Sequence, residues 1–161
     1  MIPAVLYISY DGMLEPLGES QVVSYLELLA SDTRIFLISY EKQGDWKDID
    51  RREKIQSKLN SSKIKWIPLR YHNKPGLLAT IYDIVVGIIV AGWIVKKHDI
   101  KIIHARSYIS SIIALFFKKT FKTGFLFDMR GFWADERVDA GYWSKDGYLY
   151  KVVKRLERAF L

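Results

Sequence analysis

The chain has 161 residues, half of them hydrophobic and 27% charged, with no cysteine and a net charge of +7. That length and balance fit one well-buried globular domain, and the lack of cysteine excludes disulfide frameworks, thiolate metal centres and zinc fingers. No secretory signal is expected, because the first apolar run is short, lacks a preceding basic region and gives way at once to Asp11 and Gly12.

The charge is unevenly placed. Lys96, Lys97, Lys101, Arg106, Lys118, Lys119 and Lys122 stand against one acid, Asp99, while the rest of the chain is nearly neutral. Such a patch can attract nucleic acid, anionic lipid or phosphorylated sugar, and a solubilising surface with cations near helix C-termini explains it at least as well. No nucleic-acid partner is expected.

Residues 4–10 read as a buried strand, and residues 21–30 carry apolar side chains at helical spacing. The stretch Asp11-Gly-Met-Leu-Glu-Pro-Leu-Gly-Glu-Ser-Gln21 between them is a strand-to-helix loop. In it Gly12 and Gly18 would let the backbone turn sharply and a ligand approach, and Pro16 would stiffen the middle. A helix opening near Glu19 or Ser20 would aim unpaired amides at the loop, which suits phosphate or sugar. An ordinary connection with two turn glycines has the same pattern.

A second strand follows at residues 34–40, then an exposed, charge-rich helix over 45–59. Within that helix Asp48-Ile-Asp50 has metal-like spacing, but carboxylates two apart on a helix face different ways, and we read them as surface. A third strand covers 63–70 and nears its end at Pro68. The loop 71–75 leads into a long helix over 76–97. Residues 77–95 hold a single charge, Asp83, and meet the length criterion for a membrane span. Thr80, Asp83 and Gly87 mark a weaker face, and a crossover helix is needed here, so we expect a buried or interfacial helix. The apolar second half, 88–95, is a candidate for membrane contact or dimerisation if the domain leaves it uncovered. The fourth strand is expected at 101–105, a helix at 107–119, the fifth strand at 124–128, a loop with a short turn at 129–141, and a last helix at 142–161.

Strands alternating with helices give an α/β fold: a Rossmann-like three-layer sandwich whose parallel sheet has at least five strands in the order 3-2-1-4-5, with helices on both faces. Ligands then sit at the carboxyl ends of the strands where the order reverses, between the loops after strands one and four. Along that rim fall the Asp11 to Gly18 loop, His72, His104, Arg106, Ser107, Asp128, Arg130, Asp135, Glu136 and Arg137. His104, at a strand end, could serve as acid, base or donor, or be structural. Arg106 suits a phosphate or carboxylate at the entrance of a helix that Ser107 would cap, and a salt bridge to Asp128 is an equally physical account. Phe132 and Trp133, beside Asp135, Glu136 and Arg137, have the make-up of a sugar-holding surface or of a folded loop closed by ion pairs.

The loop after strand one lacks Gly-x-Gly-x-x-Gly and Gly-Lys-Ser/Thr, which argues against a dinucleotide cofactor and P-loop hydrolysis. No Gly-x-Ser-x-Gly elbow occurs.

Taken together, Tyr10-Asp-Gly-Met-Leu-Glu-Pro-Leu-Gly-Glu-Ser-Gln-Val22, Asp99-Ile-Lys-Ile-Ile-His-Ala-Arg-Ser107 and Phe127-Asp-Met-Arg-Gly-Phe-Trp-Ala-Asp-Glu136 resemble the N-terminal half of family 4 glycosyltransferases. The resemblance implies the GT-B fold, two Rossmann-like domains facing across a cleft. It implies transfer of a sugar from a nucleotide-sugar donor to a hydroxyl of a glycan or lipid-linked acceptor, with retention and without an obligatory metal or other cofactor. It assigns the reaction centre to His104 and substrate binding to Asp11, Gly12, Gly18, Arg106, Asp128 and Arg130. Arg106 stands where the family has a second histidine. On this reading residues 1–161 are the acceptor-side domain, the donor-binding C-terminal domain lies beyond this chain, and the isolated domain is inactive. The expected place is cytoplasmic, with a peripheral position at the inner face of the membrane as the variant that the basic patch supports. The alternative is a non-catalytic α/β module that binds anionic sugars or a membrane surface.

Overall fold

Five short apolar runs become strands β1 (Ala4–Ser9), β2 (Arg34–Glu41), β3 (Lys65–Arg70), β4 (Ile102–Arg106) and β5 (Gly124–Asp128) in a computed structural model that describes residues 4–161. Residues 1–3, part of the stretch read for a secretory signal, lie outside it. All pairings are parallel and the order is β3-β2-β1-β4-β5, as the helical crossovers demand. A π-helical turn, Gly18–Val23, runs into α1 (Ser24–Leu29); α2 (Gln43–Trp46) and α3 (Ile49–Ser61) follow β2. Then come α4 (Gly76–His98), α5 (Ser107–Phe121), α6 (Trp133–Asp139) and α7 (Tyr148–Phe160).

The period-two alternation of the strands builds two cores. Leu6, Ile8, Phe36, Ile38 and Ile103 face α4 and α5, where Ile94, Ile113 and Phe117 meet them. Tyr7, Ile35, Leu37 and Trp66 face the other way, towards Val22, Leu26, Ile55 and Leu59. The single helix expected over 45–59 is two, because Asp48 leaves helical geometry to cap α3, its side chain accepting from the Arg51 N–H at 3.0 Å. Asp48 is thus a cap and no part of a metal pair.

The C-terminal third departs most from the sequence reading. The loop expected over 129–141 contains α6, and the last helix begins at Tyr148, six residues late. Gly141, at φ +74°, stops α6, and the chain between the two helices is tied by the amides of Tyr142 and Trp143 bonding the Arg137 carbonyl. Helix α7 packs on α5 through Phe160, which meets Tyr108, Phe125 and Phe127, and through buried Glu157, which accepts from the Tyr108 hydroxyl at 2.5 Å.

Helix α4 is packed inside out. Its buried stripe is Ala79, Asp83, Gly87 and Ala91, followed by Ile94 and Val95, so the small and polar residues meet the sheet and α5. Asp83, 1% exposed, accepts from the Tyr10 hydroxyl (2.9 Å) and from the His72 amide (3.0 Å), and its other oxygen lies 2.6 Å from His72 Nδ1. Its carbonyl accepts from the Tyr40 hydroxyl at 2.7 Å. These bonds let a carboxylate sit in the interior. Gly87 makes the close approach possible, since a Cβ there would fall 2.2 Å from Tyr40 Oη and 2.6 Å from Ile113 Cδ1. Gly87→Val is therefore expected to lift α4 and break the Tyr40 bond, costing about 2–4 kcal/mol in urea unfolding.

Candidate functional site

The carboxyl ends of β1, β4 and β5 converge where the strand order reverses, and five of the residues picked from the sequence meet there. Arg106 closes β4. One terminal nitrogen donates to Asp128 Oδ2 at 3.1 Å, the other to Gln21 Oε1 at 2.6 Å, and its Nε lies 3.9 Å from Asp11 Oδ2. Arg130 donates to the same Asp11 oxygen at 2.6 Å. Asp11, Arg106, Asp128 and Arg130 thus form one alternating chain of charge across the crevice mouth. The salt bridge between Arg106 and Asp128, one of the two readings open from sequence, is present, and Arg106 Nε is buried without a hydrogen-bond partner among the described residues.

His104 lies beneath this chain on β4. Its ring packs on Tyr7 at 4.5 Å between centroids and meets Tyr25 edge-on at 5.9 Å. Among the described residues Nε2 has no hydrogen-bond partner, and it stands 3.9 Å from Asp128 Oδ2, too far for a bond. Burial pushes the imidazole below its ordinary pKa; Asp128 pulls the other way and Arg106 adds to the depression. At pH 7 the ring is neutral. Burial and the Asp128 carboxylate likewise push the Tyr7 phenol up, so it stays protonated and donates to Asp128 at 3.1 Å. His104, Arg106, Asp128, Gln21, Tyr25 and Met129 line an open pocket of about 470 Å³.

The helix entry differs from expectation at Ser107. It does not cap α5: Arg106 occupies the cap position without a capping side-chain bond, and Ser107 sits in the left-handed region at φ +70°. A non-glycine residue held there stores strain, and the first amides of α5 carry no side-chain cap beside the Arg106 guanidinium.

Gly12 and Gly18 play a different part from the one their loop suggested. Neither has the positive φ of a glycine turn, and both are buried. A Cβ on Gly18 would fall 2.0 Å from the Gly12 carbonyl oxygen, and one on Gly12 would fall 2.6 Å from Glu41 Oε2. The glycines fold the loop onto itself and onto β2. What holds it there is Glu41, 3% exposed at the end of β2. Its oxygens accept from the amides of Met13 (2.8 Å) and Leu14 (3.2 Å) and from the Ser39 hydroxyl (2.6 Å), and Ser39 in turn accepts from the Trp66 indole (2.7 Å). The strand-end rule that singles out Asp128 applies equally to Glu41, and the sequence reading passed over it. Tyr7 and Gln21 also escaped notice, because nothing local to either residue marks it: each acquires its role from a partner about a hundred residues away.

The remaining rim residues lie elsewhere. His72 is bound to Asp83. Asp135 is engaged by Tyr150 (2.8 Å) and Lys154 (2.9 Å), which hold its carboxyl below the usual range. Arg137 lies over the rings of both Trp133 and Tyr142, and Lys154 over Phe132, so cations of the chain itself occupy these aromatic faces.

The fold is a Rossmann-like α/β domain with its crevice at the reversal of strand order. No protein-family model and no curated protein matches the chain. Among solved structures it is similar to the glycotransferase of kitacinnamycin, with a TM-score of 0.54 and 8% identity, covering 98% of this chain and 40% of that one. It is also similar to a glycosyltransferase from Rickettsia africae ESF-5, with a TM-score of 0.45 and 18% identity, covering 78% of this chain and 29% of that one. The likeness is one of fold, and the chain spans less than half of either protein.

Proposed function

We propose that this chain is the acceptor-side, N-terminal domain of a retaining GT-B glycosyltransferase. It would act with a second Rossmann-like domain that binds a nucleotide-sugar donor, and transfer the sugar to a hydroxyl of a glycan or lipid-linked acceptor in cell-surface polysaccharide or glycolipid synthesis. The observation that carries this reading is His104: a neutral imidazole with an unpartnered Nε2, held under a chain of two carboxylates and two guanidinia at the reversal of strand order. A neutral ring nitrogen there can exchange a hydrogen bond with a sugar hydroxyl, and the half-buried Arg106 can face a diphosphate without needing a metal. Separated from the domain that would hold the leaving diphosphate, this half of the cleft lacks the positioning that transfer requires and is inactive alone. The working compartment on this reading is the cytoplasm, where nucleotide sugars are the donors.

The test is an NMR titration of ring-labelled histidine in this chain with oligosaccharides, sugar phosphates and nucleotide sugars. We expect the His104 ring signals to shift with a sugar-bearing ligand while those of His72 and His98 stay in place. Ring signals of His104 unmoved by every class would overturn the assignment.

A further inference from the structure

Because α4 buries its small residues, its large ones face outward. Leu77, Ile81, Val85, Ile89 and Trp93 follow one another at every fourth position, between 47% and 74% exposed, and the row ends at Lys97. The ridge is about 24 Å long at the helical rise. Tyr82 and Leu78 widen it, each more than half exposed. Scattered apolar residues on a surface are ordinary, but a continuous row of this length marks an interaction face.

Its surroundings name the partner. The outward face of α4 carries no carboxylate: the one acid between Gly76 and His98 is Asp83, which points the other way into the sheet. Cations bracket the row, Lys74 before it and Lys96 and Lys97 after it. The Lys97 ammonium lies 4.3 Å from the centre of the Trp93 ring, and the Lys96 ammonium 5.7 Å from that of Phe121, where α5 brings Lys118, Lys119 and Lys122 to the same end of the sheet. Arg34 and Lys65 add to that end; they and Lys97 lower the pKa of His98 beyond the effect of burial. A second copy of this face would bring only Asp99, already paired with Lys101 at 2.6 Å, to meet these charges. A layer of phosphate headgroups over hydrocarbon meets both the cations and the apolar row, with the aromatic rings at the boundary. Helix α4 is long and apolar enough to cross a bilayer, yet its inner stripe is committed to β1, β2 and α5 and to the bonds of Asp83. It can lie on a membrane with the domain folded, and cannot span one.

We propose that the outward face of α4, with the lysines at its C-terminal end, docks the domain flat on an anionic lipid bilayer. This stands independently of the sugar-transfer reading, and loss of one leaves the other untouched. The test is sedimentation of the chain with vesicles of phosphatidylcholine alone and of phosphatidylcholine mixed with phosphatidylglycerol, at low and high salt. Binding is expected on the mixed vesicles and weakened by salt. Lys96→Gln/Lys97→Gln is expected to weaken it roughly tenfold to thirtyfold, and Val85→Gln/Ile89→Gln by at least about tenfold, with circular dichroism unchanged. Should the paired glutamine variants unfold, brominated lipid still decides: it is expected to quench tryptophan emission in the wild type and distinctly less in Trp93→Phe. Absence of binding to the mixed vesicles, or equal quenching in both proteins, would overturn the proposal. So would a stable dimer that Val85→Gln/Ile89→Gln returns to monomer.

Discussion

On the proposed reading, in an enzyme pairing this domain with a donor-binding half, His104→Ala is expected to lower turnover by about 10²–10⁴-fold while changing the unfolding midpoint little. The ring makes no hydrogen bond that holds the fold together: its Nε2 is unpartnered, and what it loses on truncation is packing against Tyr7 and Tyr25. A buried polar atom without a partner is a cost in the resting protein, and a hydroxyl of bound sugar would relieve it. The pH dependence has a definite sign. The folded-state pKa of His104 is depressed, so between the ordinary value of 6.5 and that lower value the unfolded chain binds the proton more readily. Stability in the wild type should fall as pH drops through this window, and His104→Ala should flatten that part of the profile. Turnover equal to wild type in the variant would remove His104 from the reaction centre.

Glu41→Ala should be the most destabilising of the single changes considered, by about 3–5 kcal/mol in urea unfolding. Truncation leaves the amides of Met13 and Leu14 and the hydroxyl of Ser39 as buried donors facing a void, and all three residues are fully buried. Glu41→Gln should recover only part of the loss, because its amide nitrogen must face either the Leu14 N–H or the pair of donors at the other oxygen. The loop would loosen first, which releases Asp11 from Arg130 and Arg106 and couples a residue outside the pocket to its charge arrangement. Here the pH profile runs the opposite way to that of His104. Burial raises the Glu41 pKa against the opposing pull of its three donors, so the folded state holds the proton above the ordinary 4.5. Its contribution to stability declines as pH rises from about 4.5 through the raised value, and in Glu41→Gln that decline should be missing.

The two variants divide what was legible. His104, Arg106 and Asp128 could be found because each lies at or near the end of a strand, and an alternating strand-helix chain places strand ends together at the reversal of order. Glu41 satisfied the same rule, but its partners are backbone amides of another segment, and a backbone amide leaves no trace in the residue letters. The glycines were legible as necessary and misread as to cause: a Cβ at Gly12 or Gly18 would fall 2.6 Å or 2.0 Å from neighbours that arrive only once the loop has folded against β2 and itself. Helix α6 was hidden for a similar reason, since its short run of mixed charges acquires its order from α7 and from the cations lying over Phe132 and Trp133.

By itself the sequence determined the parallel sheet, its strand order and the rim where chemistry would lie, because hydrophobic periodicity and the handedness of crossovers act within and between neighbouring segments. The tertiary structure alone decided which side of α4 is buried. By composition the helix is apolar nearly all round, and its inward face is selected by shape: a sheet and α5 so close that alanine and glycine fit and leucine does not, with Tyr10 and His72 waiting for the one carboxylate and Tyr40 for its backbone carbonyl. The same selection left the ridge from Leu77 to Trp93 uncovered and placed it beside the lysines.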